Sequence, residues 1–241
     1  MTGQKPLAAD TIDKLKRAST ATITMQLLKR GLRTGSIKHA RPLDPNHVRC
    51  VGPAFTLRFI PMREDLAGPP KPGTMLPHRM AVEAAPPGSV LVIDAGGGDN
   101  CGTLGDILVA RLKSRGVAGV VSDGPMRDMA GVVSVGLPVL CVGVAAPASM
   151  NQIMPIDTGL PIGCGGAAVF PGDVIATDAD GAVVIPRHVA DELARDAFEQ
   201  ERLEKFVLRE VKRGRSIDGL YPPGDQALTD YKKWLAQGEP E

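Results

Sequence analysis

The stretch covering residues 89–122 constrains the fold more than any other part of the chain. It opens on an apolar run, Ser89-Val-Leu-Val-Ile-Asp94, which is short, rich in β-branched residues and therefore strand-like. A glycine-rich loop, Gly96-Gly97-Gly98-Asp99-Asn100-Cys101-Gly102, comes next. In residues 105–116, Ile107, Leu108, Ala110 and Leu112 recur at helical spacing, with Arg111, Lys113 and Arg115 on a polar face. Gly119-Val-Val-Ser122 is a second strand, stopped by the turn Asp123-Gly124-Pro125. Two strands joined through a helix form a parallel crossover, and such units place ligands beyond the carboxyl ends of their strands. Here those ends are the Gly96 loop and the Asp123 turn.

The flanking sequence extends this unit into an α/β chain. Residues 10–32 carry apolar positions at broadly helical spacing, closed by Gly31 and Gly35, and residues 51–60 alternate as a strand does. Residues 63–77 are rich in Pro and Gly without periodicity, which reads as a surface loop or a lid. A short helix is expected from Met80 to the Pro86-Pro87-Gly88 turn. Short strands broken by Gly, Pro and Asp fall at 138–144, 161–162, 167–170, 173–178 and 181–185, ahead of one long charged helix over 189–212. The expected organisation is a helical arm over 1–50, a core over 51–188 and a C-terminal helix and tail over 189–241, within one structural domain.

Composition narrows the function classes. A chain of 241 residues is long enough for a substantial core without disulfides, and Cys50, Cys101, Cys141 and Cys164 lack the spacing of a zinc site. Reduced thiols, no apolar leader and no run of about 20 apolar residues predict a cytoplasmic protein with no membrane partner. Lys and Arg number 28 against 27 Asp and Glu, which counts against a nucleic-acid partner. Aromatics make up only 3% of the chain, yet Tyr221, Tyr231 and Trp234 all fall in the final stretch, where they can dock the tail on a neighbouring subunit or on its own chain.

The sequence Asp123-Gly-Pro-Met-Arg127-Asp128 carries the clearest chemistry. A turn after Gly124-Pro125 can bring both Arg127 and Asp128 to one pocket, the carboxylate for Mg²⁺ or Mn²⁺ and the guanidinium for a 2-oxo acid. An ordinary surface ion pair is the plain alternative. The Gly96 loop fails the dinucleotide fingerprint because its next required glycine falls on Cys101. The first turn of the following helix, with Ile107 and Leu108, instead offers free N–H groups to a carboxylate, while Asp106 complements the helix dipole or serves the site.

Gly105-Asp106-Ile-Leu, Arg115-Gly-Val-Ala-Gly119-Val-Val, Asp123-Gly-x-x-Arg127-Asp128, Gly165-Gly166, Pro171-Gly-Asp173 and Asp178-x-Asp180-Gly-x-Val-Val-x-Pro186 resemble, in order and spacing, the RraA-like family. That family includes the 4-hydroxy-4-methyl-2-oxoglutarate/4-carboxy-4-hydroxy-2-oxoadipate aldolases. The resemblance covers roughly residues 53–186. It implies a three-layer β/β/α swivelling fold, a homotrimer or dimer of trimers, and a Mg²⁺- or Mn²⁺-dependent class II lyase that releases pyruvate from a 4-hydroxy-2-oxo acid or oxaloacetate. By position, Asp128 matches the metal ligand, Arg127 the substrate-binding arginine and Asp106 the acid that holds metal-bound water. Gly105 and the amides of Ile107 and Leu108 match the carboxylate-binding turn. An acid from a neighbouring subunit's C-terminal helix completes the site in the family, and Glu204, or else Glu201, is the candidate here. The chain departs from the family at Leu104, where an aromatic is common, at the 63–77 insert and after Gly214. The alternative the resemblance carries is a non-catalytic regulator that binds a ribonuclease.

Overall fold

The computed structural model describes residues 6–66, 73–96, 98 and 100–240. In chain order the helices are α1 (Ala9–Arg17), α2 (Thr20–Lys29), α3 (Pro77–Ala84), α4 (Asp106–Ser114), α5 (Met129–Val135), α6 (Ala190–Lys212) and α7 (Asp225–Ala236). The strands are β1 (Ser36–Ile37), β2 (Arg41–Pro42), β3 (Val51–Pro61), β4 (Val90–Asp94), β5 (Gly119–Ser122), β6 (Val139–Cys141), β7 (Ile153–Thr158), β8 (Ile162–Cys164), β9 (Ala167–Val169), β10 (Val174–Asp178) and β11 (Gly181–Ile185).

The expected crossover is present: β4 and β5 pair in parallel with Val90 opposite Gly119, and α4 connects them. The described strands join in the order β1-β11-β10-β3-β4-β5-β6-β2, with β7 also on β3 and β8–β9 as a separate hairpin. Strand β3 holds the two halves together. Its first residues pair antiparallel with β10, the middle runs parallel to β4, and the end runs antiparallel to β7 across an irregularity between Arg58 and Phe59.

Strand periodicity sorts the side chains into layers. Leu91 and Ile93 face a core shared with Val109 and Leu112 of α4, whereas Val90 and Val92 face a second core with β8, β9 and β11. Val184 joins that second core, while its neighbours Val183 and Ile185 face a third core against α1, α2 and the start of α6. The result is the β/β/α arrangement expected from the resemblance, with a further helical layer from the two ends of the chain.

Local chemistry explains where elements begin and end. The helical pattern over 10–32 is two helices, because Ser19 caps α2: its Oγ accepts from Thr22 N at 3.0 Å and its own N–H donates to Glu201 at 2.7 Å. Helix α3 starts at Pro77 and not at Met80, since Pro at the first position gives up no helical hydrogen bond. Helix α7 and strand β7 were not expected. Pro155 within β7 is tolerated because, among the described residues, β7 is an edge strand paired with β3 alone.

The aromatic tail docks on its own chain. Trp234 and Tyr231 stack against Phe206 of α6 at ring separations of 5.7 and 5.8 Å, and Tyr221 stays exposed. All four cysteines are buried free thiols. Among the described residues, no helix is long and apolar enough to cross a membrane. Residues 67–72 of the lid-like stretch, and Gly97 and Asp99 of the glycine loop, lie outside the described residues.

Candidate functional site

A pocket of about 540 Å³ opens where the sequence places its chemistry. Gly105, Asp106, Ile107, Leu108, Arg127 and Asp128 all line it, joined by His78 and Arg79 from α3 and by Ser149 and Met150 from the loop before β7.

The turn carrying Arg127 and Asp128 is clamped by backbone bonds. Arg127 N donates to Leu104 O at 3.0 Å, Met126 N donates to Gly143 O at 3.0 Å, and Thr103 donates to Pro125 O through both its N–H and its hydroxyl. Asp128 itself is left-handed, with φ 58° and ψ 43°, directly before α5. Few residues other than glycine take that conformation, and Asp is among those that tolerate it. This reversal, together with the Gly124-Pro125 turn, lets adjacent residues serve one cavity. Arg127 Nε lies 3.0 Å from Asp128 Oδ2, and both side chains are half-exposed.

Two glycines make room for the acids. A Cβ on Gly105 would sit 2.4 Å from Asp128 Oδ2, and one on Gly131 of α5 would sit 2.5 Å from Asp106 Oδ2. Asp106 Oδ1 accepts from the N–H of Ile107 at 2.7 Å, so this first-turn amide is engaged by its own neighbour.

The other motif acids have structural partners. Asp123 accepts from Ala95 N and Gly165 N, tying the end of β5 to two loops, and burial pushes its carboxyl above the usual range. Asp173 accepts from Phe170 N and Arg187 N, and buried Asp178 accepts from the N–H and hydroxyl of Thr20. Gly165-Gly166 and Pro171-Gly-Asp173 thus serve backbone geometry, as their residue types imply.

Of the pocket residues from α3, His78 is only weakly indicated by the sequence and Arg79 not at all. The position of His78 just after the 63–77 stretch is the only signal for it. The residue is 7% exposed and its ring lies 6.3 Å from the Phe59 ring. Burial, reinforced by the adjacent Arg79 charge, pushes its pKa down to about 4, so it is neutral at pH 7. Glu201 and Glu204 do not line the pocket within this chain. Glu201 accepts from Ser19 N, and Glu204 accepts from Gln200 at 2.7 Å.

A larger groove of about 890 Å³ lies between the end of α2 and β9–β11. Its acids are committed, Asp173 to backbone amides and Asp191 to Arg187 and Thr11, and no residue of the Arg127-Asp128 turn reaches it. The smaller pocket is the one lined by the candidate residues Asp106, Arg127 and Asp128.

The RraA-like family model, described as Aldolase/RraA, matches residues 9–184. The chain belongs to the RraA-like family. A putative 4-hydroxy-4-methyl-2-oxoglutarate aldolase of Halalkalibacterium halodurans is 33% identical over 161 residues, 67% of this chain and 70% of that protein. Protein DlpA of Legionella pneumophila is 28% identical over 206 residues, 83% of this chain, but the match spans only 31% of DlpA. Among solved structures, Streptomyces coelicolor RraAS2, described as an unusual member of the RNase ES inhibitor RraA protein family, is 35% identical. It aligns at TM-score 0.75 over 85% of this chain and 98% of its own. A Pseudomonas syringae protein, 25% identical, aligns at TM-score 0.78 over 90% of this chain and all of its own.

Proposed function

We propose that this RraA-like chain is a divalent-metal-dependent carbon–carbon lyase that releases pyruvate from a 4-hydroxy-2-oxo acid or from oxaloacetate. One observation carries the reading: Arg127, Asp128, Asp106 and the first turn of α4 line a single pocket.

The donor set fits Mg²⁺ or Mn²⁺. Asp128 and Asp106 offer hard carboxylate oxygens, and no group of three or more His, Cys, Asp or Glu among the described residues forms an all-protein cage. Mg²⁺ is commonly held by one or two carboxylates plus water and substrate oxygens. Asp128 would hold the ion directly and Asp106 through water. When bound, it supplies Lewis-acid polarisation of the 2-oxo group.

The protein's own residues do the rest. Arg127 binds the substrate by a planar, charge-assisted contact and stabilises the negative charge that develops as the C3–C4 bond breaks. The first turn of α4, starting at Gly105, receives the C1 carboxylate at the amides of Ile107 and Leu108, once Asp106 releases the Ile107 N–H. Asp106 then orders the water that carries protons. Among the described residues no lysine lines the pocket, which favours this route over a Schiff base. Oxaloacetate decarboxylation passes through the same pyruvate enolate.

Glu204 of a neighbouring chain completes the site in a homotrimer or dimer of trimers. The other reading, a ribonuclease-binding regulator, draws on the likeness to RraAS2. Pyruvate release from a panel of 4-hydroxy-2-oxo acids and oxaloacetate, with EDTA and after metal is restored, separates the two. Turnover lost to EDTA and regained with Mg²⁺ or Mn²⁺ is the expected result. No turnover on any panel member, or a pyruvyl adduct trapped by borohydride, refutes the lyase reading or its metal-dependent form.

A further inference from the structure

The wall of the pocket formed by α3 has no part in the chemistry above. Pro77 at the first helical position fixes the start of α3, and His78 and Arg79 follow at once. Both line the same cavity as Arg127 and Asp128. The His78 ring is packed against Phe59 and almost fully enclosed, yet its Nδ1 is buried with no hydrogen-bond partner among the described residues.

Packing alone does not account for such a residue. A buried polar atom without a partner is costly, and an apolar ring would fill the space without that cost. The imidazole is neutral at physiological pH because burial, then the Arg79 charge, disfavours its protonation. A neutral imidazole offers one donor and one acceptor, which suits a hydroxyl, whereas anionic groups are better matched by the arginines already lining the pocket. Thr103 does not compete for this task, since its hydroxyl is committed to Pro125 O at 3.0 Å.

We propose that His78 is a specificity-determining residue that hydrogen-bonds an uncharged hydroxyl carried by the substrate beyond its 2-oxo acid group. The inference rests on the lyase reading of the same pocket. It assigns His78 to the part of the substrate that distinguishes a 4-hydroxy-2-oxo acid from oxaloacetate, which has a carboxylate and no hydroxyl at that carbon.

Two variants and two substrates test it. His78→Phe keeps a flat ring and removes the hydrogen bond, while His78→Asn keeps a neutral donor and acceptor. Loss of one hydrogen bond predicts that His78→Phe lowers kcat/KM for the 4-hydroxy-2-oxo acid roughly 10- to 30-fold and changes oxaloacetate decarboxylation by less than about threefold. His78→Asn should regain part of the loss on the hydroxy acid alone. Equal losses on both substrates in folded protein would mean a purely structural histidine, and no loss on either would mean no role.

A binding measurement keeps the question separate from turnover. The ¹⁵N imidazole resonances of His78, assigned by their absence in His78→Phe, should move with the 4-hydroxy-2-oxo acid and not with pyruvate. If the wild-type protein lacks lyase activity, the reading of the previous subsection fails while this titration still decides on His78. Resonances that ignore the hydroxy acid, or respond equally to pyruvate, overturn the proposal.

Discussion

Gly105 and Asp128 are in direct apposition: a methyl group on Gly105 would lie 2.4 Å from Asp128 Oδ2, far inside van der Waals contact. Gly105 sits at the N-cap of α4 with extended backbone, φ −120° and ψ −177°, which any residue adopts without strain. Its missing side chain is therefore a matter of space for the carboxylate.

Gly105→Ala isolates that space. The substitution should cost only about 0.5–1 kcal/mol of stability, the ordinary difference between Gly and Ala at an N-cap. It should nevertheless drive Asp128 out of position and, in the proposed site, weaken Mg²⁺ or Mn²⁺ binding by at least about 10-fold, since that reading gives the ion one direct carboxylate. Calorimetric metal titration beside a thermal melt reads both quantities. Unchanged metal affinity would take Asp128 out of the ligand set.

Arg127 and Asp128 should separate by chemistry. Asp128→Ala is expected to lose metal binding and turnover together. Arg127→Lys should keep the metal and lose kcat by roughly 100-fold, because an ammonium cannot reproduce a planar two-point contact. Loss of their half-exposed 3.0 Å pair should cost no more than about 1 kcal/mol of stability in either variant, with about a further 1 kcal/mol for Asp128→Ala because Ala takes the left-handed backbone less readily than Asp. Near-wild-type turnover in both variants would reduce the pair to an ordinary surface ion pair.

The site was legible in the sequence where its residues sit next to regular elements. Gly105, Asp106, Ile107 and Leu108 begin a helix with clear spacing, and Arg127 and Asp128 follow a strand and a Gly-Pro turn; the family resemblance assigned the six to one candidate site, and all six line one pocket. Helix α5 was not legible. Its seven residues, Met-Ala-Gly-Val-Val-Ser-Val, are mostly poor helix formers, and the helix is set by the left-handed Asp128 before it and the left-handed Gly136 after it. The break between α1 and α2 was not read from the continuous apolar pattern: Ser19 caps α2, and the Glu201 contact that holds its N–H comes from 182 residues away. His78 is marked only by its place just after the 63–77 stretch. Its environment depends on Phe59 of β3, a tertiary contact with no local trace.

His78 also predicts how stability depends on pH. Its folded pKa, about 4, lies below the ordinary 6.5 of an unfolded histidine, so the unfolded chain binds more protons between those values. The folded state is favoured fully above pH 6.5 and loses ground as pH falls toward 4, by about 3 kcal/mol if the whole shift is expressed. Partly buried Asp123 and Asp173, whose pKa values are raised, oppose this trend at the acid end. The histidine contribution is therefore read as a difference. Urea midpoints of the wild type should fall more steeply from pH 6.5 to 4.5 than those of His78→Gln, and parallel curves would show that His78 does not titrate with folding.

Assembly supplies the last test, because the acids of α6 do not reach the pocket of their own chain. Glu201 is occupied by the N–H of Ser19, so Glu201→Ala should leave that N–H without its acceptor, with the Ser19 Oγ cap of α2 still in place, and lower stability by about 1–2 kcal/mol while leaving turnover largely intact. Glu204, held among the described residues by Gln200 on the same helix, is the acid proposed to reach a neighbour. Homo-oligomers of Asp128→Ala and of Glu204→Ala should each be inactive. Co-refolding the two should regenerate some interfaces that combine an intact Asp128 from one chain with an intact Glu204 from the next, and part of the activity should return. Subunit exchange verified by mass, with no activity regained, would show that Glu204 works within its own chain. A fully active Glu204→Ala would remove this residue from the site and leave the water shell to Asp106.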